Sequence, residues 1–101
     1  MNNQMLSLLG IARRAGRLAL GSDAAAEAMR KGTAKLLLLA GDLSTRSAEK
    51  MLALAQDAGV AAEQLAVTME DISMALGKRT GVVAVNDAGF AEKLHALCAS
   101  E

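Results

Sequence analysis

Two clusters of cations are the residues in this chain best suited to chemistry. One is Arg13-Arg14-x-x-Arg17. The other is Lys78-Arg79, within the glycine-flanked stretch Gly77-Lys78-Arg79-Thr80-Gly81. Guanidinium and ammonium groups donate to phosphate oxygens, and a glycine-flanked loop lets backbone N–H groups approach the same anion. Both clusters fit a polyanion recognised through its backbone. Ordinary surface roles compete: arginines at a helix end match its dipole, and a charged loop aids solubility.

The other reactive side chains lack companions. His95 is the only histidine and Cys98 the only cysteine. No second histidine, nucleophile or cysteine pair is spaced to make a dyad, a zinc site or a disulfide. Glu70 and Asp71 are adjacent, so on a helix they project about 100° apart and do not work as a carboxylate pair. Neither Gly-x-Gly-x-x-Gly nor Gly-Lys-Ser/Thr occurs, so Gly21 and Gly32 read as turn residues. The expectation is a protein that is not an enzyme, with no cofactor, no metal and no small-molecule substrate.

Phe90 is the only aromatic residue. Single-strand binding by base stacking needs rings, so any nucleic acid partner should be recognised by shape and backbone. Net charge is zero over 101 residues, but residues 1–50 carry eight cations against four acids and residues 51–101 three against seven. The first half is therefore +4 and the second −4, leaving one basic half to face a polyanion. No apolar run exceeds five residues, far short of the roughly 20 that span a bilayer. No basic stretch precedes an apolar block at the start, so no secretory leader is expected, and the anticipated location is cytoplasmic, away from membranes.

The elements that would carry these residues alternate in type. Met5, Leu8, Leu9 and Ala12 recur at helical spacing, with Asn2 or Asn3 as cap and Gly16 as stop. Arg17 to Leu20 is a short extended segment. Ser22 is placed to cap a second helix closed by Gly32. Lys35 to Ala40 is a strand apolar on both faces, which belongs at the centre of a covered sheet. Ser44 caps a third helix reaching about Ala58, and Gln64 to Thr68 reads as a strand. Thr68 with Asp71 forms a capping box for Met69 to Leu76. Val82 to Val85 is a second strand of buried type. Asn86 or Asp87 caps a last helix from Ala88 to Ala99. This alternation implies a mixed or parallel sheet between two helical layers.

Several of these segments, in order, resemble a known family. Leu8-Leu9-Gly10-Ile11-Ala12-Arg13-Arg14-Ala15-Gly16-Arg17 followed by Leu20-Gly21 is similar to the opening of the YlxQ-type bacterial ribosomal-protein-like family. Gly32-x-Ala34-Lys35-Leu36-Leu37-Leu38-Leu39-Ala40-x-Asp42, Leu76-Gly77-Lys78 and Val83-Ala84-Val85-x-Asp87-x-Gly89-Phe90-Ala91 continue the likeness across nearly the whole chain. That family lies within the kink-turn RNA-binding ribosomal proteins of the L-seven-Ae and L-thirty-e type. The resemblance implies an α/β fold, a three-layer α/β/α sandwich with a small mixed sheet, in one ribosomal-protein-like domain over residues 1–101. It also implies binding to structured RNA, ribosomal or kink-turned, by a non-catalytic, ribosome-associated protein.

Carried onto this sequence, the implied RNA face comprises Gly21 to Lys31 and Gly77 to Gly81. Its expected contacts are Gly21, Ser22, Asp23, Arg30, Lys31, Lys78, Arg79 and Thr80, flanked by Arg13, Arg14 and Arg17. The helix start departs from the kink-turn pattern Gly-x-Asn-Glu-x-x-Lys, reading Gly21-Ser22-Asp23-Ala24-Ala25-Ala26-Glu27. Asp23 loses the amide donor, Ala24 the carboxylate that accepts from guanine, and Glu27 puts a negative charge where a lysine would meet phosphate. Those changes support an alternative, a protein-interaction module on the same fold with a degraded RNA site.

Overall fold

Leucine at every position from 36 to 39 cannot alternate between core and solvent, so that strand has to be covered on both faces. In the computed structural model, which describes residues 3–99, all four are buried. In chain order the elements are α1 (Asn3–Arg14), β1 (Leu18–Leu20), α2 (Ser22–Lys31), β2 (Leu36–Leu39), α3 (Thr45–Ala58), β3 (Ala61–Gln64), α4 (Met69–Leu76), β4 (Val82–Val85) and α5 (Ala88–Ala99). The sheet order is β1-β4-β2-β3. β4 is antiparallel to both its neighbours, and β2 is parallel to β3. The two doubly apolar strands are thus the central pair, with Leu36 opposite Val85 and Leu39 opposite Val82.

Side chains alternate across the pleat to fill two cores. Leu36, Leu38, Val83 and Val85 meet α1, α4 and α5 through Met5, Leu9, Ile72 and Leu94. Leu37, Leu39, Val82 and Ala84 meet α2 and α3 through Ala25, Met29, Met51 and Ala55. The architecture is the expected three-layer sandwich. Each fully buried leucine stabilises it by about 1.5–3 kcal/mol.

Two local expectations are corrected. The strand anticipated at Gln64–Thr68 lies earlier, at Ala61–Gln64. The last bond to the neighbouring strand is Leu65 N–H to the Leu39 carbonyl, 2.7 Å, after which the chain leaves the ladder. Leu65 and Val67 are buried with Ala66 exposed between them, so they alternate like a strand while packing as an irregular segment. Ser22, expected as a cap, is the first residue inside α2. Gly21 occupies the cap position at φ 97°, and no side chain caps the helix start. The Gly21 N–H is held 2.8 Å from the Val82 carbonyl, which fixes that left-handed backbone at a residue without a Cβ.

Other expected caps form. Ser44 accepts from Ser47 N–H, Thr68 and Asp71 make the reciprocal box, and Asp87 accepts from Phe90 N–H at 2.9 Å. The cap expected at Asn2 or Asn3 falls outside the described side chains. Among the described residues, no helix is long and apolar enough to cross a membrane.

Candidate nucleic-acid interface

Three chain segments meet at the end of the sheet where β1 and β2 finish and β4 begins. Gly21 is tied to Val82, the Ala40 N–H donates to the Gly81 carbonyl at 2.9 Å, and the Gly41 N–H donates to the Val67 carbonyl at 2.8 Å. Small residues permit this approach. A Cβ on Gly81 would stand 2.9 Å from Met69 Cγ, and one on Gly41 would stand 2.5 Å from the Leu65 carbonyl oxygen.

The 77–81 loop runs out from this junction and is held from beneath. Gly77 ends α4 in the left-handed conformation at φ 73°. The Ser73 hydroxyl donates to the Met69 carbonyl at 2.6 Å and accepts from Thr80 N–H at 3.1 Å. The Thr80 hydroxyl donates to the Val82 carbonyl at 2.9 Å, and the residue is only 4% exposed. Thr80 is therefore a peg under the loop. Lys78 and Arg79 are exposed on top of it, within about 11 Å of chain from Gly81.

Arg13 joins this structure from below. Its Nη1 donates to the carbonyl of Leu76, the last residue of α4, so this guanidinium fastens α1 to the base of the loop. It also places positive charge at the negative end of the α4 dipole. Arg14 is exposed at the end of α1 and forms no ion pair among the described residues. Arg17 stands apart. Its carbonyl accepts from Asn86 N–H at 2.8 Å, which puts it at the other end of β1, about 13 Å along the strand from Gly21.

The far end of α2 behaves differently. Arg30 Nη2 bonds to Glu27 Oε1, and Lys31 Nζ lies 3.5 Å from Glu27 Oε2. The Arg30 hydrogen bond, aided by the charges of Arg30 and Lys31, holds the Glu27 carboxyl below its ordinary value of 4.5. These two cations are about 12 Å along the helix axis from Ser22 and are partly neutralised. The structure thus brings Gly21, Ser22, Lys78 and Arg79 toward one end, with Arg13 beneath the loop. It leaves Arg17, Arg30 and Lys31 outside that group.

Residues 3–95 match the model of the Ribosomal protein L7Ae/L30e/S12e/Gadd45 family. The chain belongs to this family. A solved protein of unknown function from Bacillus halodurans is 31% identical, with 95% of this chain and 97% of that one covered and a TM-score of 0.89. A Giardia lamblia 15.5kD RNA binding protein shares the fold at TM-score 0.75 and 18% identity, with 96% and 92% covered. No curated protein matches the sequence.

In this L7Ae-family chain His95 and Cys98 sit elsewhere. His95 Nδ1 is 2.8 Å from Glu63 Oε2, joining α5 to the edge strand β3. Both groups are partly solvent-exposed. Cys98 is half-buried against the α1/α4/α5 core. Among the described residues, no three histidine, cysteine or carboxylate groups are placed to hold a metal. The sequence reading missed the Gly41-Asp42-Leu43 wall of the site. Asp42 Oδ1 accepts from Met69 N–H at 2.8 Å and so fixes the start of α4. The available signal was a Gly-Asp turn directly after a doubly buried strand. Ser73 carried no signal, since its role depends on the loop folding back along α4.

Proposed function

We propose that this L7Ae-family protein is a cytoplasmic, non-catalytic binder of structured RNA. In this reading residues 1–101 act as one domain, of the YlxQ type, associated with the ribosome. The supporting observation is the pegged 77–81 loop, which holds Lys78 and Arg79 outward while its Gly81 end lies beside Gly21 and the uncapped start of α2. A loop already fixed by Ser73 and Thr80 loses little conformational freedom on binding, so its cations meet phosphate at a small entropic cost. The amides at the α2 start add donors and the positive end of a helix dipole.

The contacts assigned to RNA are Lys78, Arg79, Arg14 and the backbone at Gly21 and Ser22. Asp23 stands in the first turn of α2, where its carboxylate limits phosphate approach to that side. The RNA is therefore recognised by the course of its backbone, as in a kinked duplex or a folded ribosomal segment. Binding should weaken steeply as salt rises, because each phosphate contact releases counterions. The test is a titration of wild type and Lys78→Ala/Arg79→Ala against a kink-turn RNA and a plain duplex at two salt concentrations. The expected result is tighter binding of the kinked RNA by wild type and loss of affinity for both in the variant. No binding of either RNA at low salt would refute the proposal.

A second reading, a protein-interaction module, is favoured by the Glu27 ion pairs. They take up the two α2 cations that an RNA-binding helix would present.

A further inference from the structure

The face between α2 and α3 is an open groove of about 480 Å³. Met29, Ala26, Leu54 and Ala58 give it apolar surface, and Asp23, Glu27 and Asp57 give it a carboxylate rim, with Arg30 as its one cation. Glu27 is engaged by Arg30 and Lys31, whereas Asp23 and Asp57 form no ion pair among the described residues. Two unmatched negative charges therefore border an apolar trough.

This combination selects a particular kind of side chain. Lysine and arginine carry long aliphatic stems that lie on apolar surface while the charged head stays in water. Arg30 shows that arrangement within the molecule: it lines the groove and ends on the Glu27 carboxylate. A phosphate backbone is repelled by the same rim, and a neutral apolar helix would leave Asp23 and Asp57 beside it without partners.

From the charge of the rim and the apolar floor we infer that the α2–α3 groove docks a Lys/Arg-rich extended segment of a partner protein. Cationic heads would pair with Asp57 and Asp23, and stems would cover Leu54, Met29 and Ala58. Such a site leaves the 77–81 loop uncovered, so protein and RNA could be held at once. The inference does not depend on RNA binding.

The test uses two peptides of equal charge. One is octalysine. The other is an octamer of 2,4-diaminobutyric acid, whose stem is two methylenes and whose amines stay largely protonated at mildly acidic pH, where both peptides are compared. Affinity is measured by calorimetry for wild type, Asp57→Asn and Leu54→Ala, with thermal melting to confirm folding. Octalysine should bind wild type at least about fivefold tighter than the short-stemmed peptide, and each variant should bind octalysine about three- to fivefold more weakly. Binding of RNA by Asp57→Asn should equal that of wild type. Equal affinity for the two peptides, or octalysine binding unaffected by both substitutions, would overturn the inference. If the peptide pattern holds while no RNA binds, the groove stands and the RNA reading falls.

Discussion

The 77–81 loop and the end of α2 carry the same kind of sequence, adjacent cations beside a glycine, yet the fold puts them to opposite use. In the loop, the hydrogen bonds of Ser73 and Thr80 hold the backbone from beneath, and Lys78 and Arg79 project outward. At the end of α2, Arg30 and Lys31 turn back onto Glu27, three and four residues earlier on the same helix. Cations stay exposed and available to an anion where the scaffold satisfies its own backbone and no carboxylate pairs with them. They become internal ion pairs where helical spacing supplies one. A count of basic residues cannot separate these outcomes, because both segments count as +2 before their neighbours are included.

The largest expected effect comes from removing the projecting charges. Lys78→Ala/Arg79→Ala should weaken RNA binding roughly 100-fold at low salt, as two charge-assisted contacts of about 1.5 kcal/mol each are lost. It should also lower the slope of log affinity against log salt by about two. Equal loss on replacing Arg30 and Lys31 would erase the distinction between the two regions.

Removing the peg should act less strongly and by a different route. Thr80→Val keeps the shape but deletes the hydroxyl that donates to the Val82 carbonyl. Stability should fall by about 1–2 kcal/mol, read from urea denaturation. RNA affinity should fall about three- to tenfold even though no RNA contact is removed. Unchanged affinity in a destabilised but folded variant would show that loop rigidity is irrelevant.

A smaller change should blur the contrast. Glu27→Lys removes the carboxylate that engages Arg30 and Lys31, and adds a cation on α2. RNA binding should tighten about threefold, an amount typical of exposed charges screened by solvent. Unchanged binding would mean that α2 faces away from the RNA altogether.

The smallest effect concerns protons. Arg30 holds the Glu27 carboxyl below 4.5, so the ion pairs are complete above that pH and are lost as pH falls through the lowered value. An NMR pH titration of the Glu27 side-chain carboxyl should show a midpoint below 4.5, and Arg30→Gln should move it up. A midpoint at or above 4.5 in wild type would contradict the pairing.

The central strands were legible because an unbroken apolar run has only one comfortable place in a layered fold. The capping box at Thr68 and Asp71 was legible because both partners lie within one turn. β3 was misplaced because Leu65 and Val67 show strand-like burial after the ladder has ended, while Ala61–Gln64 has exposed ends and small or polar residues. Arg13 could be singled out as a cation, but its bond to Leu76 spans 63 positions and depends on how α1 packs on α4. The pairing of Glu27 with Arg30 and Lys31 was latent in their spacing. Its importance emerged once those cations were found about 12 Å from the start of α2.

Mapping of backbone amide shifts on addition of a kink-turn RNA would decide where the nucleic acid lies. Changes are expected at Gly21, Ser22 and Gly77 to Gly81, with Ala26, Leu54 and Ala58 of the α2–α3 groove unmoved. Shifts concentrated in the groove, with the 77–81 loop silent, would contradict this placement.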